Sequence, residues 1–230
     1  MDYNTLFSQI QTYTENIFPD TYLANGSTVS YTTQINTFIQ QAEARIYNTV
    51  QIPSLRRNVT GNCSPSTAYL GCPNDYLSSY SMAVINSDGS YDYLLNKDVN
   101  FIRQAYPNPN DKGVPRYYAL FGSRLNDPNE LAFILGPSPD TVYSIELHYF
   151  YYPESIVTAG TSWLGDNYSP ALLYGSLVEA YQYMKGEADM LAMYNTKYQE
   201  AMQQLNRLGT GLERNDAYRQ GQTSLPYNKL

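Results

Sequence analysis

The stretch SIELHYFYYPES, from Ser144 to Ser155, decides the fold class of the central part of the chain. Its side chains alternate in character, and in an extended strand successive side chains point to opposite faces of the sheet. One face would carry the larger apolar side chains, namely Tyr143, Ile145, Leu147, Tyr149 and Tyr151. The other face would carry Ser144, Glu146 and His148. Pro153 has no backbone N–H to donate, so we expect it to end the strand. The pattern predicts a half-buried β-strand whose rings on the apolar face pack against a core.

Other segments rich in β-branched and aromatic residues surround this strand. Four precede it at residues 55–60, 68–73, 76–85 and 91–96, separated by Gly, Pro, Asn and Asp. The pair Asp88-Gly89 between the last two favours a hairpin. KDVNFIRQAY, residues 97–106, could form a short helix. RYYALFG and ELAFILG then lead into the strand that begins at Val142, and the short turns between them predict an antiparallel meander of three strands.

Both ends of the chain predict helices. A stripe with the helical period runs through residues 31–50 and consists of Ile35, Phe38, Ile39, Ala42, Ile46 and Tyr47. A second stripe, in residues 187–208, has members three and four residues apart: Leu191, Tyr194, Tyr198, Ala201, Leu205 and Leu208. Beyond Gly209 no period is visible, so we expect an extended segment that a partner orders.

These patterns together predict an α+β fold. We expect a bundle of about four long helices from both chain ends, a central antiparallel β lobe and an extended C-terminal tail. The expected divisions are residues 1–54 for the first helices, 55–165 for the β lobe, 166–208 for the last helices and 209–230 for the tail.

Composition narrows the classes of function. Only 15% of the residues are charged, against about 25% in an average domain, and 25 residues are tyrosine. Tyrosine is common at surfaces that are solvated in the free protein and buried in a complex, so the tyrosine content is compatible with a large protein–protein interface. It is equally compatible with a tyrosine-rich core. The net charge of −7 argues against a protein that binds nucleic acid by neutralising phosphates. No apolar run could span a membrane and no signal peptide is evident, so we expect an intracellular protein without a membrane partner.

Patterns that carry catalysis are absent from the sequence. There is no glycine-rich phosphate loop and no G-x-S-x-G motif, and we expect no cofactor. Cys63 and Cys72 are expected to be free thiols, and with a single histidine they cannot build a structural zinc site. His148 could be oriented as a base by Glu146, but a solvent-facing histidine is the interpretation that we favour.

Two further interpretations concern binding. A carbohydrate- or receptor-binding module would stack sugars on exposed aromatic side chains, but the one tryptophan, Trp163, precedes a helix and is expected to fill the helical bundle. Arg56, Arg57 and Arg116 are expected to be solvated or ion-paired, with contacts to another subunit or to DNA phosphate as the alternative.

The order of several segments resembles a known family. These segments are FIQQAEARIY, PSLRRNVT, PNDYLSSYSMAVI, GVPRYYALFG, GPSPD with the tyrosine-rich strand after it, and WLGDNYSPALLYGSLVEAYQYMKG. From about residue 30 to residue 207 their succession resembles the head-to-tail adaptor proteins of tailed bacteriophages, also called connector or head-completion proteins. TGNCSPSTAYLGC, residues 60–72, lies outside this resemblance.

The resemblance implies a structural virion protein of the phage neck that is made in the host cytoplasm and is not an enzyme. Such adaptors form a ring, usually of twelve copies, beneath the dodecameric portal. The ring extends the DNA channel without specific DNA binding and gives the tail or nozzle protein a mounting surface. A stopper or tail terminator, which forms rings with different partners, is the alternative.

The resemblance also suggests binding residues. In related adaptors the C-terminal segment clasps the portal, which here would involve Leu212, Arg214, Tyr218, Arg219, Leu225, Tyr227 and Lys229. The β lobe would meet neighbouring subunits or the tail, and the residues expected at the subunit interface are Arg116, Tyr117, Tyr149 and Tyr151.

Overall fold

A computed structural model describes residues 1–22, 26–123 and 131–220, and for residues 123 and 211–220 it describes the backbone alone. Within these ranges the chain has seven helices and ten strands, which confirms the predicted α+β class. The chain divides into two units. The helical unit comprises Met1–Pro53 and Pro153–Leu230, and the β unit comprises Ser54–Tyr152.

The elements are numbered along the chain. The helices are α1 (Tyr3–Thr14), α2 (Tyr31–Thr49), α3 (Val99–Ala105), α4 (Ile156–Ala159), α5 (Trp163–Asn167), α6 (Ser169–Met184) and α7 (Ala188–Gln220). The strands are β1 (Thr21–Tyr22), β2 (Thr28–Val29), β3 (Arg56–Asn62), β4 (Tyr69–Gly71), β5 (Tyr76–Ile85), β6 (Tyr91–Tyr93), β7 (Leu95–Asn96), β8 (Tyr117–Ser123), β9 (Leu131–Gly136) and β10 (Ser144–Tyr151).

In the helical unit, α6 packs against α1, α2 and α7. The stripe predicted on α2 is confirmed, since all six of its members are buried. α6 is a suitable centre because it buries small residues as well as leucines, and Gly175 lies where an added Cβ would be 3.2 Å from Ala42 Cβ and from Tyr198 Cε2. α6 is therefore the helix on which the other long helices of this unit pack. A regular bundle of four long helices stays a prediction.

Helix α7 corrects the sequence analysis. It continues to Gln220, so the expected end at Leu208 and the extended conformation of residues 209–220 are wrong. The buried side of the helix holds Tyr194, Tyr198 and Leu205 as predicted, whereas Leu208 is 41% exposed. The buried position after Leu205 is Gly209, four residues on, where an added Cβ would lie 3.0 Å from the carbonyl oxygen of Gln51. This glycine permits a close helix contact and does not end the helix.

The β unit consists of two four-stranded sheets. One has the strand order β3-β10-β5-β6 and the other β4-β9-β8-β7. A single core cluster draws on both sheets, so they pack face to face; it includes Met82, Val84, Ile145, Leu147 and Tyr149 from the first and Tyr118, Phe133 and Leu135 from the second. α3 packs on β8 and β9, with Ile102 among Ala119 and Ile134. The predicted hairpin at Asp88-Gly89 is confirmed, because β5 and β6 pair antiparallel on either side of it.

The predicted three-stranded meander is wrong at its last strand. β8 and β9 pair antiparallel, but β10 joins the other sheet and lies between β3 and β5. The reason is burial. β10 carries large apolar side chains, which are buried only where a second sheet packs on them. Its central position in the first sheet places these side chains against the second sheet. An edge position beside β9 would leave one of its sides unpaired.

The two faces of β10 follow the predicted alternation. Ile145, Leu147 and Tyr149 are buried in the core between the sheets, and Tyr143 and Tyr151 pack at its margin. Ser144, Glu146 and His148, on the opposite face, are half-buried. Phe150 shares that second face and is also buried, which the simple alternation did not predict.

Candidate interaction surfaces

His148 lies beside an aromatic ring. Its imidazole meets the Tyr80 ring edge to face, with the ring centres 5.2 Å apart. This contact belongs to a hydrophobic packing arrangement and does not align a nucleophile with a base. Trp163 is half-buried at the start of α5, while its neighbour Leu164 is the fully buried residue there.

The cysteines and acidic residues do not form a metal centre in the described ranges. No group of three or more His, Cys, Asp or Glu side chains there could hold a metal ion. Cys63 and Cys72 are free thiols. Burial raises the pKa of Cys63 and raises that of Cys72 to about 12. Both sulfurs therefore stay protonated near neutral pH and pack as small apolar groups.

Arginines stack on aromatic rings at the start of β3. The Arg56 guanidinium lies 3.9 Å from the centre of the Tyr80 ring and 4.9 Å from that of Phe150. The Arg57 guanidinium lies 3.9 Å from the centre of the Tyr151 ring. Each contact places the positive charge of a guanidinium over the face of a ring, which is a cation–π attraction. We call Arg56 and Arg57, with the rings beneath them, the arginine corner.

A carboxylate ties the arginine corner to the core of the β unit. Asp75 accepts a hydrogen bond from Arg57 Nη1 at 2.8 Å on one oxygen. Its other oxygen accepts from the Tyr149 hydroxyl, also at 2.8 Å. Burial, followed by the bond to Asp75, raises the pKa of Tyr149 to about 12. Sequence reasoning missed Asp75, because nothing in PNDYL distinguishes an anchoring aspartate from a turn residue.

The four residues expected at a subunit interface occupy different environments. Arg116 is exposed and Tyr117 is half-buried. Tyr151 is half-buried beneath Arg57, and Tyr149 is only 3% exposed in the core. The structure therefore brings Arg116 and Tyr117 to one surface and uses Tyr149 inside the unit. An interface role for these residues stays a prediction.

An exposed apolar patch adjoins Arg116 and Tyr117. We call it the Tyr93 patch, and its members are Tyr91, Tyr93, Leu95 and Val114. Tyr93 is 68% exposed. A cavity of about 430 Å³ opens within the patch, lined by Asp92, Tyr93, Leu95, Val114, Pro115, Arg116 and Tyr117. Clustered exposed aromatic side chains beside an arginine are typical of protein–protein interfaces.

The helical unit has a groove of its own. It has a volume of about 500 Å³ and is lined by residues of β1, β2, α2 and α6. Gln34 holds the β1–β2 hairpin beside α2, since its Nε2 donates to Thr21 Oγ1 at 3.1 Å and to Pro19 O at 3.2 Å. An Arg45–Glu179 ion pair joins α2 to α6.

The residues expected at the portal fall in two groups. Leu212, Arg214, Tyr218 and Arg219 lie on the last turns of α7. Leu225, Tyr227 and Lys229 lie outside the described residues. Their portal-binding role stays a prediction. In the described part of the chain, no helix is long and apolar enough to cross a membrane.

A comparison with known protein families shows to which family the chain belongs. The family model described as SU10 adaptor protein matches residues 1–224. The chain belongs to the SU10 adaptor protein family. The predicted resemblance to phage head-to-tail adaptors is thereby confirmed, and the match includes residues 60–72 and the N-terminal helix, which the resemblance had left out. No curated protein matches the chain. As an SU10 adaptor, the protein is a structural component of a bacteriophage virion.

Proposed function

We propose that the chain forms a ring of about twelve copies beneath the phage portal, extends the DNA channel and gives the tail its attachment surface. The observation that carries the proposal is the match of residues 1–224 to the SU10 adaptor family. The Tyr93 patch supports it, because a ring subunit must bury apolar surface against its neighbours and a free chain leaves that surface exposed.

The charge of the chain suits a channel for DNA. Each copy carries a net charge of −7. A ring of about twelve such copies repels phosphate, so DNA passes without the tight, salt-dependent contacts that would stall its movement. The partners of the ring are then the portal on one side and a tail or nozzle protein on the other.

The portal contact is assigned to the C-terminal residues. The last turns of α7 and the residues after it carry Arg214, Arg219 and Lys229 among apolar and tyrosine side chains. A terminal segment of this kind can contact a partner through side chains that the ring does not use, which leaves the rest of the chain free to form the ring.

The test mixes the purified chain with the portal of the same phage and examines the product by electron microscopy and native mass spectrometry. The proposal predicts a coaxial ring on the portal, with about as many adaptor copies as portal subunits. A chain that ignores the portal but forms a ring on isolated tails would be a tail terminator or stopper, and the proposal would be wrong.

A matched pair of variants locates the portal contact. In the first, residues 221–230 are deleted; in the second, they keep their composition in shuffled order. Both variants should lose at least about tenfold in portal affinity. If the shuffled segment binds as well as the native one, specific recognition by Leu225, Tyr227 and Lys229 is disproved.

A further inference from the structure

We propose that neighbouring copies join by continuing a β-sheet, with strand β6 of one copy pairing beside strand β3 of the next. The inference rests on the proposed ring and names the surfaces that build it. The two strands form opposite edges of one sheet, whose order is β3-β10-β5-β6.

Strand β3 is an edge that is open to pairing. All seven of its residues pair with β10 on one side, and among the described residues no strand pairs with its other side. Six of the seven, Arg57 to Asn62, are exposed. Proteins that protect an edge place charges or proline along it. From Asn58 to Asn62 this strand has neither.

Strand β6 is the edge at the far side of the same sheet. Its residues Tyr91–Tyr93 pair with Ile85–Ala83 of β5, and within the described ranges its outer side has no partner strand. All three residues are exposed. The two tyrosines belong to the Tyr93 patch, so apolar area lies directly beside the unpaired backbone groups. A partner strand would therefore gain backbone hydrogen bonds and cover aromatic surface together.

Strand direction favours a copy of the same chain as that partner. The sheet has four strands and every pairing in it is antiparallel, so β3 and β6 run in opposite directions. Strands lie about 4.8 Å apart, which separates these edges by about 14 Å. A small rotation about the ring axis leaves strand directions nearly unchanged, so β3 of the next copy arrives antiparallel to β6. The contact joins two different surfaces, as ring closure requires.

The charges at the two edges are complementary. β3 begins with the two basic residues Arg56 and Arg57, and Arg57 forms an ion pair with Asp75. The β5–β6 hairpin, residues 86–93, carries Asp88 and Asp92 and no basic residue. Asn86 orients the Asp92 carboxylate by donating to it at 2.9 Å. The acidic hairpin beside β6 and the basic start of β3 are opposite in sign, which favours an encounter between unlike edges of two copies.

The first experiment uses a photo-crosslinking amino acid in the full-length chain. p-Benzoylphenylalanine replaces Tyr93, and the labelled chain is mixed with ¹⁵N-labelled wild-type chain and assembled on the portal. We expect crosslinks between a light and a heavy chain that map to residues 56–62. The control places the same probe at Tyr22, an 81% exposed tyrosine of the helical unit, and should give no crosslink to those residues.

The second experiment blocks the β3 edge. Val59→Lys places a charge on the exposed strand, and Val142→Lys is the matched control, since these valines are 40% and 56% exposed in the same unit. Val59→Lys should lower the Tyr93 crosslink yield at least about fivefold, and Val142→Lys should leave it unchanged.

The outcomes separate the two proposals. Failure of the wild-type chain to bind the portal would overturn the proposed function and this inference together. A normal ring on the portal with Tyr93 crosslinks that map elsewhere, or with no effect of Val59→Lys, would overturn this inference alone.

Discussion

The two units of this chain differ in where they place aromatic rings. Both bury mainly aliphatic side chains, and in the helical unit Phe18 packs on Phe38 of α2 with ring centres 5.5 Å apart. The β unit has aromatic rings between its sheets, where Phe133 meets Tyr76 and Tyr118 edge to face with ring centres 5.4 and 5.8 Å apart. The difference shows that the high tyrosine content has two uses within the β unit. Some rings fill the core, and others, in the Tyr93 patch, remain available to partners.

The largest expected effect tests the aromatic core. Phe133→Ala removes a fully buried ring that two tyrosines contact, and it should lower the free energy of unfolding by about 3–5 kcal/mol. Phe101→Ala is the control, because that ring is 41% exposed on α3 and should cost less than about 1.5 kcal/mol. Denaturant unfolding followed by circular dichroism measures both. Equal losses of unfolding free energy would show that the buried Phe133 ring contributes no more to stability than the exposed Phe101 ring.

The next effect tests the corrected side of α7 in the helical unit. Leu205→Ala removes a fully buried side chain and should cost about 2–5 kcal/mol. Leu208→Ala should cost less than about 1 kcal/mol, because its side chain is largely exposed. The same unfolding measurement decides between them. A larger loss for Leu208 would restore the seam that the sequence pattern predicted and contradict burial of Gly209.

A smaller effect concerns the polar tip of a core tyrosine. Tyr149→Phe keeps the ring and removes the hydroxyl that donates to Asp75, so it should cost about 0.5–1.5 kcal/mol. The pKa of about 12 also predicts that this hydroxyl titrates later than exposed tyrosines in an absorbance titration. Loss of an early-titrating tyrosine in the variant would contradict the buried hydrogen bond.

The smallest effect depends on pH and lies in the helical unit. Glu43 is 3% exposed on α2, where it accepts a hydrogen bond from Ile156 N at 2.9 Å at the start of α4. Burial raises the pKa of this carboxyl, with the bonds from Ile156 and Ser155 opposing the rise. A raised folded-state pKa means that the protonated form contributes stability, which is complete below the ordinary value of 4.5 and is lost as pH rises through the folded-state pKa.

Glu43→Gln should abolish this dependence. As pH rises above 4.5, the wild type should lose stability relative to the Gln variant, by no more than about 1 kcal/mol. Unfolding curves at a series of pH values, with the exposed Glu200→Gln as the control, measure the difference. A wild type that gains stability relative to the Gln variant over this range would reverse the sign and disprove the account of Glu43.

The sequence allowed prediction of features that depend on local periodicity. The alternation in β10 predicted which side chains face the core, and the stripe on α2 predicted its buried face. Both succeed because a side chain's direction follows from its own strand or helix. The same reasoning on α7 succeeded up to Leu205 and failed at Gly209, since a glycine that ends a helix and one that permits a close contact look alike in sequence.

Features that depend on distant residues could not be predicted in this way. The meander was the shortest connection for β10, but burial between β3 and β5 outweighed the short turn. Asp75 was missed because its partners, Arg57 and Tyr149, are 18 and 74 residues away. Tyr93 and Tyr118 both lie in tyrosine-rich strands, and only the packing of the sheets distinguishes the exposed ring from the buried one.

The most direct test counts the protein in the particle that it is proposed to help build. Quantitative mass spectrometry of purified virions, with isotope-labelled peptides of this chain and of the portal as standards, gives their ratio. The account predicts one adaptor chain for each portal subunit, about twelve per virion. Absence of the chain from intact virions, or a single copy in each, would contradict it.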